Sequence, residues 1–166
     1  HNPKIVTEGE QSAVFEEALH YVMEALAKMI AADGEGAGRL MTCTVTNAAD
    51  AHTAETLAMS ICSSSLVKAA MFGADANWGR VLCAMGYSGA AFDPSTVSVR
   101  FASQVGVITV CEQGKGLVFD ETLAKEILSQ DAVEIIANLH QGTAQASCWG
   151  CDLTYDYVKI NGDYRT

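Results

Sequence analysis

The sequence has 166 residues, of which 49% are apolar and 18% are charged, and 20 acidic against 10 basic residues give it a net charge of −10. A disordered chain is excluded by this apolar content, and a membrane-spanning one by the lack of any run of ~20 consecutive apolar residues. The negative charge argues against nucleic acids and anionic lipid surfaces as partners, because both repel an acidic protein.

The first half of the sequence predicts a long helix, a strand and three shorter helices. Apolar residues spaced by three or four positions predict the helices, and alternating β-branched residues predict the strand. The helices are expected over residues 12–32, 51–62, 66–72 and 78–85, and the strand over residues 39–46. Ser12 is the expected N-cap of the long helix. The apolar face of this helix consists of Phe15, Leu19, Val22, Leu26 and Ile30, and that of the second helix of Ala54, Leu57, Ala58 and Ile61.

The second half predicts five strands and two helices. The strands are expected over residues 96–102, 105–111, 117–119, 133–139 and 143–149, with a hairpin turn at residues 113–116. Asp120 should cap a helix that reaches Leu128, and a last helix should cover residues 154–161. Short turns join several successive strands, so we expect an α/β fold of the α+β type, in which helices cover a mixed, largely antiparallel sheet. No internal linker divides residues 1–166.

Six cysteines lie mostly singly within apolar runs, which is typical of reduced, buried thiols and predicts a reducing compartment, most simply the cytoplasm. Cys148 and Cys151 form a CxxC spacing, which can be a redox pair where the first thiol lies at a helix N-terminus. We favour structural thiols here. No second CxxC accompanies the pair and the histidines are scattered, so no metal site is predicted.

Two polar segments are candidates for ligand binding. Glu35 lies between glycines, where the backbone can approach a ligand closely and the carboxylate can receive the ammonium group of an amino-acid-like substrate. The alternative is a helix C-cap with a solvated glutamate. Asp75, Asn77 and Arg80 lie at a predicted helix start that can hold an anion, or that is only capped and paired internally.

The same segments carry a family resemblance. Residues 64–81 resemble the signature SPLVKTAxFGxDPNWGRI, residues 33–37 match DGEGA, and residues 149–154 with 158–166 resemble W-x-CDLT…V-x-INADYRT. All three belong to the bifunctional ornithine acetyltransferases, or glutamate N-acetyltransferases, of arginine biosynthesis. The sequence departs from these signatures mainly at Gly38 and Arg39, where the family has Thr-Lys, at Ala76, where it has Pro, and at Gly162, where it has Ala.

The resemblance implies a specific chemistry. Such enzymes are made as precursors that cleave themselves before a threonine, which becomes the N-terminal nucleophile of a β chain. The threonine takes acetyl from N2-acetylornithine and passes it to glutamate through an acetyl-enzyme, with its own amine as general base. An oxyanion hole in the α chain stabilises the tetrahedral intermediate.

The motif around that threonine is absent, so the sequence resembles only the C-terminal part of the β chain, with its natural end at Thr166. The beginning at His1 instead of Met is consistent with an upstream part. We therefore expect no catalytic residue in this chain, which should be inactive alone. By the resemblance, Glu35, Asn161 and Thr166 contact the substrate.

The implied partners are the α chain, the N-terminal part of the β chain and small amino-acid substrates. The resemblance also implies that αβ units assemble further, into a heterotetramer. It implies no cofactor and no metal, although acetyl-CoA is a possible second acetyl donor. Two alternatives stay open, a related β-aminopeptidase-like hydrolase and a non-catalytic amino-acid-binding or regulatory module.

Overall fold

The computed structural model describes residues 10–164 of the chain. The helices are α1 (Glu10–Ala32), α2 (Ala51–Ser63), α3 (Ser65–Phe72), α4 (Trp78–Gly86), α5 (Glu121–Leu128) and α6 (Tyr155–Asp163). The strands are β1 (Leu40–Ala48), β2 (Ser98–Ser103), β3 (Gly106–Glu112), β4 (Lys115–Gly116), β5 (Ala132–Asn138) and β6 (Ala144–Cys151), and a 3-10 turn covers Pro94–Thr96. In residues 10–164 no helix is both long and apolar enough to cross a membrane.

The six strands form a single mixed sheet in the order β4-β3-β2-β5-β1-β6. Only β1 and β5 run parallel, and every other neighbouring pair is antiparallel. This confirms the expected mixed, largely antiparallel sheet with helices. β5 and β6 follow each other closely in the chain, yet they lie on opposite sides of β1 and do not pair with each other.

One face of the sheet forms the core. Alternate residues of the central strands point into it and are fully buried, among them Met41, Cys43 and Val45 of β1. The helix α2 covers these side chains with the face that the sequence predicts, and that face consists of Ala54, Leu57, Ala58 and Ile61. The alternation of buried and half-buried residues along each strand places the polar residues of β1 on the opposite face.

Side-chain oxygens cap the five helices that follow α1. The N-caps are Asp50, Ser64, Asn77, Asp120 and Thr154. The prediction for Asp120 is therefore confirmed, and its carboxylate accepts from the backbone N–H of Thr122 at 2.9 Å. The prediction for Ser12 is wrong, because α1 begins at Glu10. Ser12 lies within the helix instead, where its hydroxyl donates to Oε1 of Glu16 one turn later at 3.1 Å.

The apolar face predicted for α1 does not point into the core. Its side chains are 45% to 75% exposed, and they are Phe15, Leu19, Val22, Leu26 and Ile30. The side toward β6 and β1 carries small residues such as Ala27 and Ala31, together with Lys28, whose ammonium lies 5.3 Å from the centre of the Trp149 ring. Small side chains let the helix approach the sheet, so the larger apolar residues remain outside the core of the described residues.

The strand predicted at residues 117–119 is not formed. The chain reverses at Gln113 and Gly114, whose φ angles of 48° and 69° are typical of a two-residue hairpin turn. The returning strand β4 then has only two residues before the chain leaves for α5, and Val118 is fully exposed. The N–H of Leu117 still donates to the carbonyl of Val110 on β3 at 2.9 Å, but no strand continues beyond it, because the chain turns away toward the N-cap of α5.

Candidate functional site

A glycine-rich loop, residues 33–38, joins α1 to β1 and is called the glycine loop below. Its backbone is closed by a bond in which the N–H of Ala37 donates to the carbonyl of Gly34 at 2.9 Å. Gly36 has φ of +67°, and a Cβ atom built on it would lie 2.6 Å from the backbone nitrogen of Tyr157. The glycine loop therefore lies directly against the first turn of α6, at a distance that only glycine permits.

Two of the three predicted substrate-binding residues meet at this place. The side-chain amide of Asn161 donates to Oε2 of Glu35 at 2.7 Å, and it also donates to the carbonyl of Tyr157 at 3.0 Å. Both Glu35 and Asn161 are exposed. The third residue, Thr166, lies outside the described residues. Within residues 10–164 the amide of Asn161 binds one carboxylate oxygen of Glu35, and a carboxylate has a second oxygen that can accept from an ammonium group.

Two buried residues just before α6 hold the glycine loop in place. Oδ1 of Asp152 accepts from the backbone N–H groups of Gly38 at 2.7 Å and Arg39 at 3.1 Å. The hydroxyl of Thr154 donates to the carbonyl of Gly36 at 2.5 Å and accepts from the N–H of Tyr157 at 3.2 Å. Sequence reasoning did not single out either residue, although both belong to the CDLT signature.

Arg39, one of the departures from the family signature, has a structural role. Its guanidinium donates to the carbonyl oxygens of Met71 and Leu128, the latter at 2.7 Å. These carbonyls belong to the last turns of α3 and α5, where a positive charge is favourable. The arginine side chain thus joins the C-terminal ends of α3 and α5.

The segment around α4 is capped and paired internally, as its alternative interpretation predicts. Oδ1 of Asn77 accepts from the backbone N–H of Arg80 at 3.1 Å, and its amide donates to Asp75 at 3.0 Å. The Arg80 guanidinium donates to the carbonyl of Leu66 at 3.1 Å. The groups expected to bind an anion are therefore largely engaged within the protein.

The CxxC spacing does not form a redox pair. Both cysteines lie on β6, and residues three positions apart on a strand point to opposite faces. A Cβ built on Gly34 would lie 2.7 Å from the sulfur of Cys151, whereas the thiol of Cys148 lies 3.8 Å from the sulfur of Met59 on α2. Cys148 also lies within the strand rather than at a helix N-terminus, which contradicts the condition for an activated thiol.

The thiols of Cys43, Cys62 and Cys148 form a cluster between α2 and the sheet. The hydrogen bond with Cys148 lowers the pKa of Cys62, but the bond with Cys43 and burial raise it, and the net result is a pKa of about 12. The hydrogen bond with Cys62, together with burial, also raises the pKa of Cys148. Both thiols are therefore held in their neutral form near neutral pH, which agrees with a structural role.

We expect this cluster to make the folding stability depend on pH under alkaline conditions. The folded state keeps Cys62 protonated up to a pKa of about 12, whereas an unfolded chain ionises near 9.0. The stabilisation is therefore complete below pH 9 and is lost as the pH rises from about 9 to 12. In urea unfolding of the complete protein, the free energy of unfolding of the parent should fall toward that of Cys62→Ala over this pH range, because the variant lacks the titrating thiol. Cys83→Ala, at an exposed thiol, is the control, and curves that stay parallel for Cys62→Ala would contradict the prediction.

Comparisons with known proteins agree on one family. Residues 2–166 match the model of the ArgJ family. The chain is 51% identical over 165 residues to the arginine biosynthesis bifunctional protein ArgJ 1 of Clostridium acetobutylicum. The matched region covers 99% of this chain and 40% of that protein. It is 49% identical over 164 residues to the arginine biosynthesis bifunctional protein ArgJ of Caldanaerobacter subterraneus subsp. tengcongensis. That match covers 98% of this chain and 41% of the relative.

A solved structure has the same fold. The crystal structure of the arginine biosynthesis bifunctional protein ArgJ from Bacillus halodurans superposes with a TM-score of 0.89 at 44% sequence identity. The match covers 98% of this chain and 75% of the solved chain. The present chain thus spans about two fifths of the length of the curated relatives and three quarters of the solved chain.

Proposed function

The chain belongs to the ArgJ family, and on that basis we propose that it is the C-terminal part of the β chain of a self-cleaving N-terminal-threonine acyltransferase. The complete enzyme moves acetyl from N2-acetylornithine to glutamate in arginine biosynthesis. In this proposal the threonine nucleophile and the oxyanion hole lie upstream of residue 1, and the described chain supplies part of the substrate-binding site.

The observation that carries this proposal is the pairing of Glu35 with Asn161. These residues are 126 positions apart and come from two different signature segments, yet the structure brings them within 2.7 Å. The carboxylate of Glu35 can accept from the free side-chain ammonium group of N2-acetylornithine, while Asn161 keeps it oriented. An exposed, oriented carboxylate on a closely packed loop favours binding over a merely solvated helix end.

The lengths of the relatives support cleavage of a precursor. The chain covers 75% of the solved ArgJ chain but only about 40% of each curated ArgJ protein. The solved chain is therefore roughly half as long as the curated proteins, as expected if a precursor of that length is divided into two chains.

The reaction proceeds by two acyl transfers. The threonine hydroxyl attacks the acetamide carbonyl of N2-acetylornithine, while the N-terminal amine of that same threonine accepts the proton of the hydroxyl. That proton passes to the departing nitrogen, which leaves as the free amine of ornithine. The amine of glutamate then attacks the acetyl ester and gives a proton to the terminal amine, which passes it to the departing threonine oxygen, so that N-acetylglutamate leaves and the threonine hydroxyl is regenerated. Acetyl-CoA can act as a second donor, because attack of the same threonine on its thioester forms the same acetyl ester and releases the thiol of coenzyme A.

The proposed partners follow from the same assignment. They are the α chain and the N-terminal part of the β chain, in αβ units that assemble further in the cytoplasm. The exposed apolar face of α1 supports this part of the proposal, because five large apolar side chains on one helix face favour contact with further protein.

The test is an acetyl-transfer assay on the complete protein, with this chain alone as the inactive comparison. N2-acetylornithine without glutamate should give an acetyl-enzyme that intact-mass spectrometry detects, and added glutamate should remove it as N-acetylglutamate. Acetate release to water would instead favour a β-aminopeptidase-like hydrolase. Amino-acid binding without any acetyl-enzyme would favour a non-catalytic module, and either result would contradict the proposal.

A further inference from the structure

Asp152 is a buried acid whose position serves the glycine loop more than the stability of the protein. It is 3% exposed, and Oδ1 accepts two backbone N–H bonds from Gly38 and Arg39. Oδ2 is buried and has no hydrogen-bond partner among residues 10–164. A buried carboxylate oxygen without a partner costs free energy, so this arrangement is unfavourable for stability alone.

The glycine loop needs an external restraint. Gly34, Gly36 and Gly38 alternate along it, and each glycine widens the range of backbone conformations that the loop can adopt. Two side chains, those of Asp152 and Thr154, bind the second half of the loop from the segment that leads into α6. These bonds oppose the conformational entropy that the glycines bring.

The same segment determines how the loop meets α6. Asp152 lies at the end of β6, where its own N–H donates to the carbonyl of Arg39 at 3.3 Å. Three residues further on α6 begins, and this helix carries Asn161. The carboxylate of Asp152 therefore joins the loop that carries Glu35 to the helix that carries its partner.

We propose that Asp152 is a positioning residue, whose buried carboxylate holds the glycine loop so that Glu35 lies beside Asn161. In that position the carboxylate of Glu35 accepts a hydrogen bond from the ammonium group of the substrate. Asp152 itself is buried beneath the loop and acts only through it. This inference rests on the proposed function, because it assigns the effect of Asp152 to substrate binding.

The first test compares KM and kcat of the complete protein. Asp152→Ala removes the acceptor of both N–H bonds, so we expect KM for N2-acetylornithine to rise about tenfold while kcat changes much less. Asp152→Asn keeps an oxygen at Oδ1 and should restore most of the parental KM. Asp131→Ala, at an exposed aspartate, is the matched control.

The double variant Glu35→Ala/Asp152→Ala distinguishes positioning from general structural support. If Asp152 acts through Glu35, the double variant should have the KM of Glu35→Ala alone. The proposal would be overturned if the increase in KM of the double variant equalled the product of the increases in the two single variants. Gly38→Ala provides an independent perturbation that keeps the carboxylate, because its Cβ would lie 2.9 Å from Oδ2 and displace the loop. It should raise KM in the same way even if Asp152→Ala fails to fold.

A second readout does not depend on acetyl transfer. Hydrogen exchange at the amides of Gly38 and Arg39 in the complete protein should accelerate about tenfold or more in Asp152→Ala and stay near the parental rate in Asp152→Asn. Unchanged exchange in Asp152→Ala would overturn the proposal. If the parent transfers no acetyl while exchange responds as expected, the proposed function fails but the role of Asp152 in holding the loop stands.

Discussion

Glu35→Ala should raise KM of the complete protein for N2-acetylornithine by roughly 10- to 100-fold, with a much smaller change in kcat. The physical reason is the loss of the proposed charge-assisted hydrogen bond to the substrate ammonium, because such a bond contributes about 1.5–3 kcal/mol. The carboxylate is exposed and, among residues 10–164, its side chain bonds only to the amide of Asn161, so its removal should leave the fold intact.

Steady-state kinetics with both substrates check this prediction. Glu35→Gln tests the charge, since it keeps the shape of the side chain and should also raise KM. Glu126→Ala, at an exposed glutamate of α5, is the matched control for loss of a negative charge. Deletion of Thr166, the third predicted contact, should likewise raise KM. An unchanged KM in Glu35→Ala and in the Thr166 deletion would remove the substrate-binding assignment.

Gly36→Ala should lower the free energy of unfolding of the complete protein by about 2–4 kcal/mol. Two costs combine at this position. The φ angle of +67° disfavours any residue with a Cβ, and that Cβ would lie 2.6 Å from the backbone nitrogen of Tyr157. The backbone of α6 cannot move aside without breaking the contacts of Thr154 at its N-cap.

Gly162→Ala is the matched control for Gly36→Ala. Gly162 lies within α6, and a Cβ built there meets no atom of residues 10–164 within 4 Å. Alanine favours the helix, so this substitution should raise the free energy of unfolding by up to about 1 kcal/mol. Urea unfolding monitored by circular dichroism measures both variants. Equal effects of the two substitutions would show that the loop does not need glycine at position 36.

Local patterns predicted most elements because their physical cause is local. The spacing of apolar residues in α2 identified both the helix and its buried face, since every third or fourth residue of a helix points the same way. Asp120 was predictable as a cap because an aspartate just before a helix satisfies free N–H groups there. The short turns between strands predicted a sheet that is largely antiparallel.

The same patterns failed where a distant part of the chain decides the outcome. The apolar face of α1 has the correct period for a core helix, but the sheet accepts the side with small alanines. Residues 117–119 have the composition of a strand, but the chain must leave β4 to reach α5. The order in which β5 lies between β1 and β2 also follows from packing across the whole sheet.

The candidate site likewise has features that the sequence predicts and features that only the tertiary structure determines. Composition, spacing and the signature segments were enough to indicate the family, the helices and strands, and the candidates Glu35 and Asn161, because residue types and short-range order carry this information. The tertiary structure alone placed Glu35 against Asn161, separated Cys148 from Cys151 across the sheet, and showed Asp152 beneath the glycine loop. These relations join residues more than 80 positions apart or depend on which face of a strand a side chain occupies, and only the packed chain determines them.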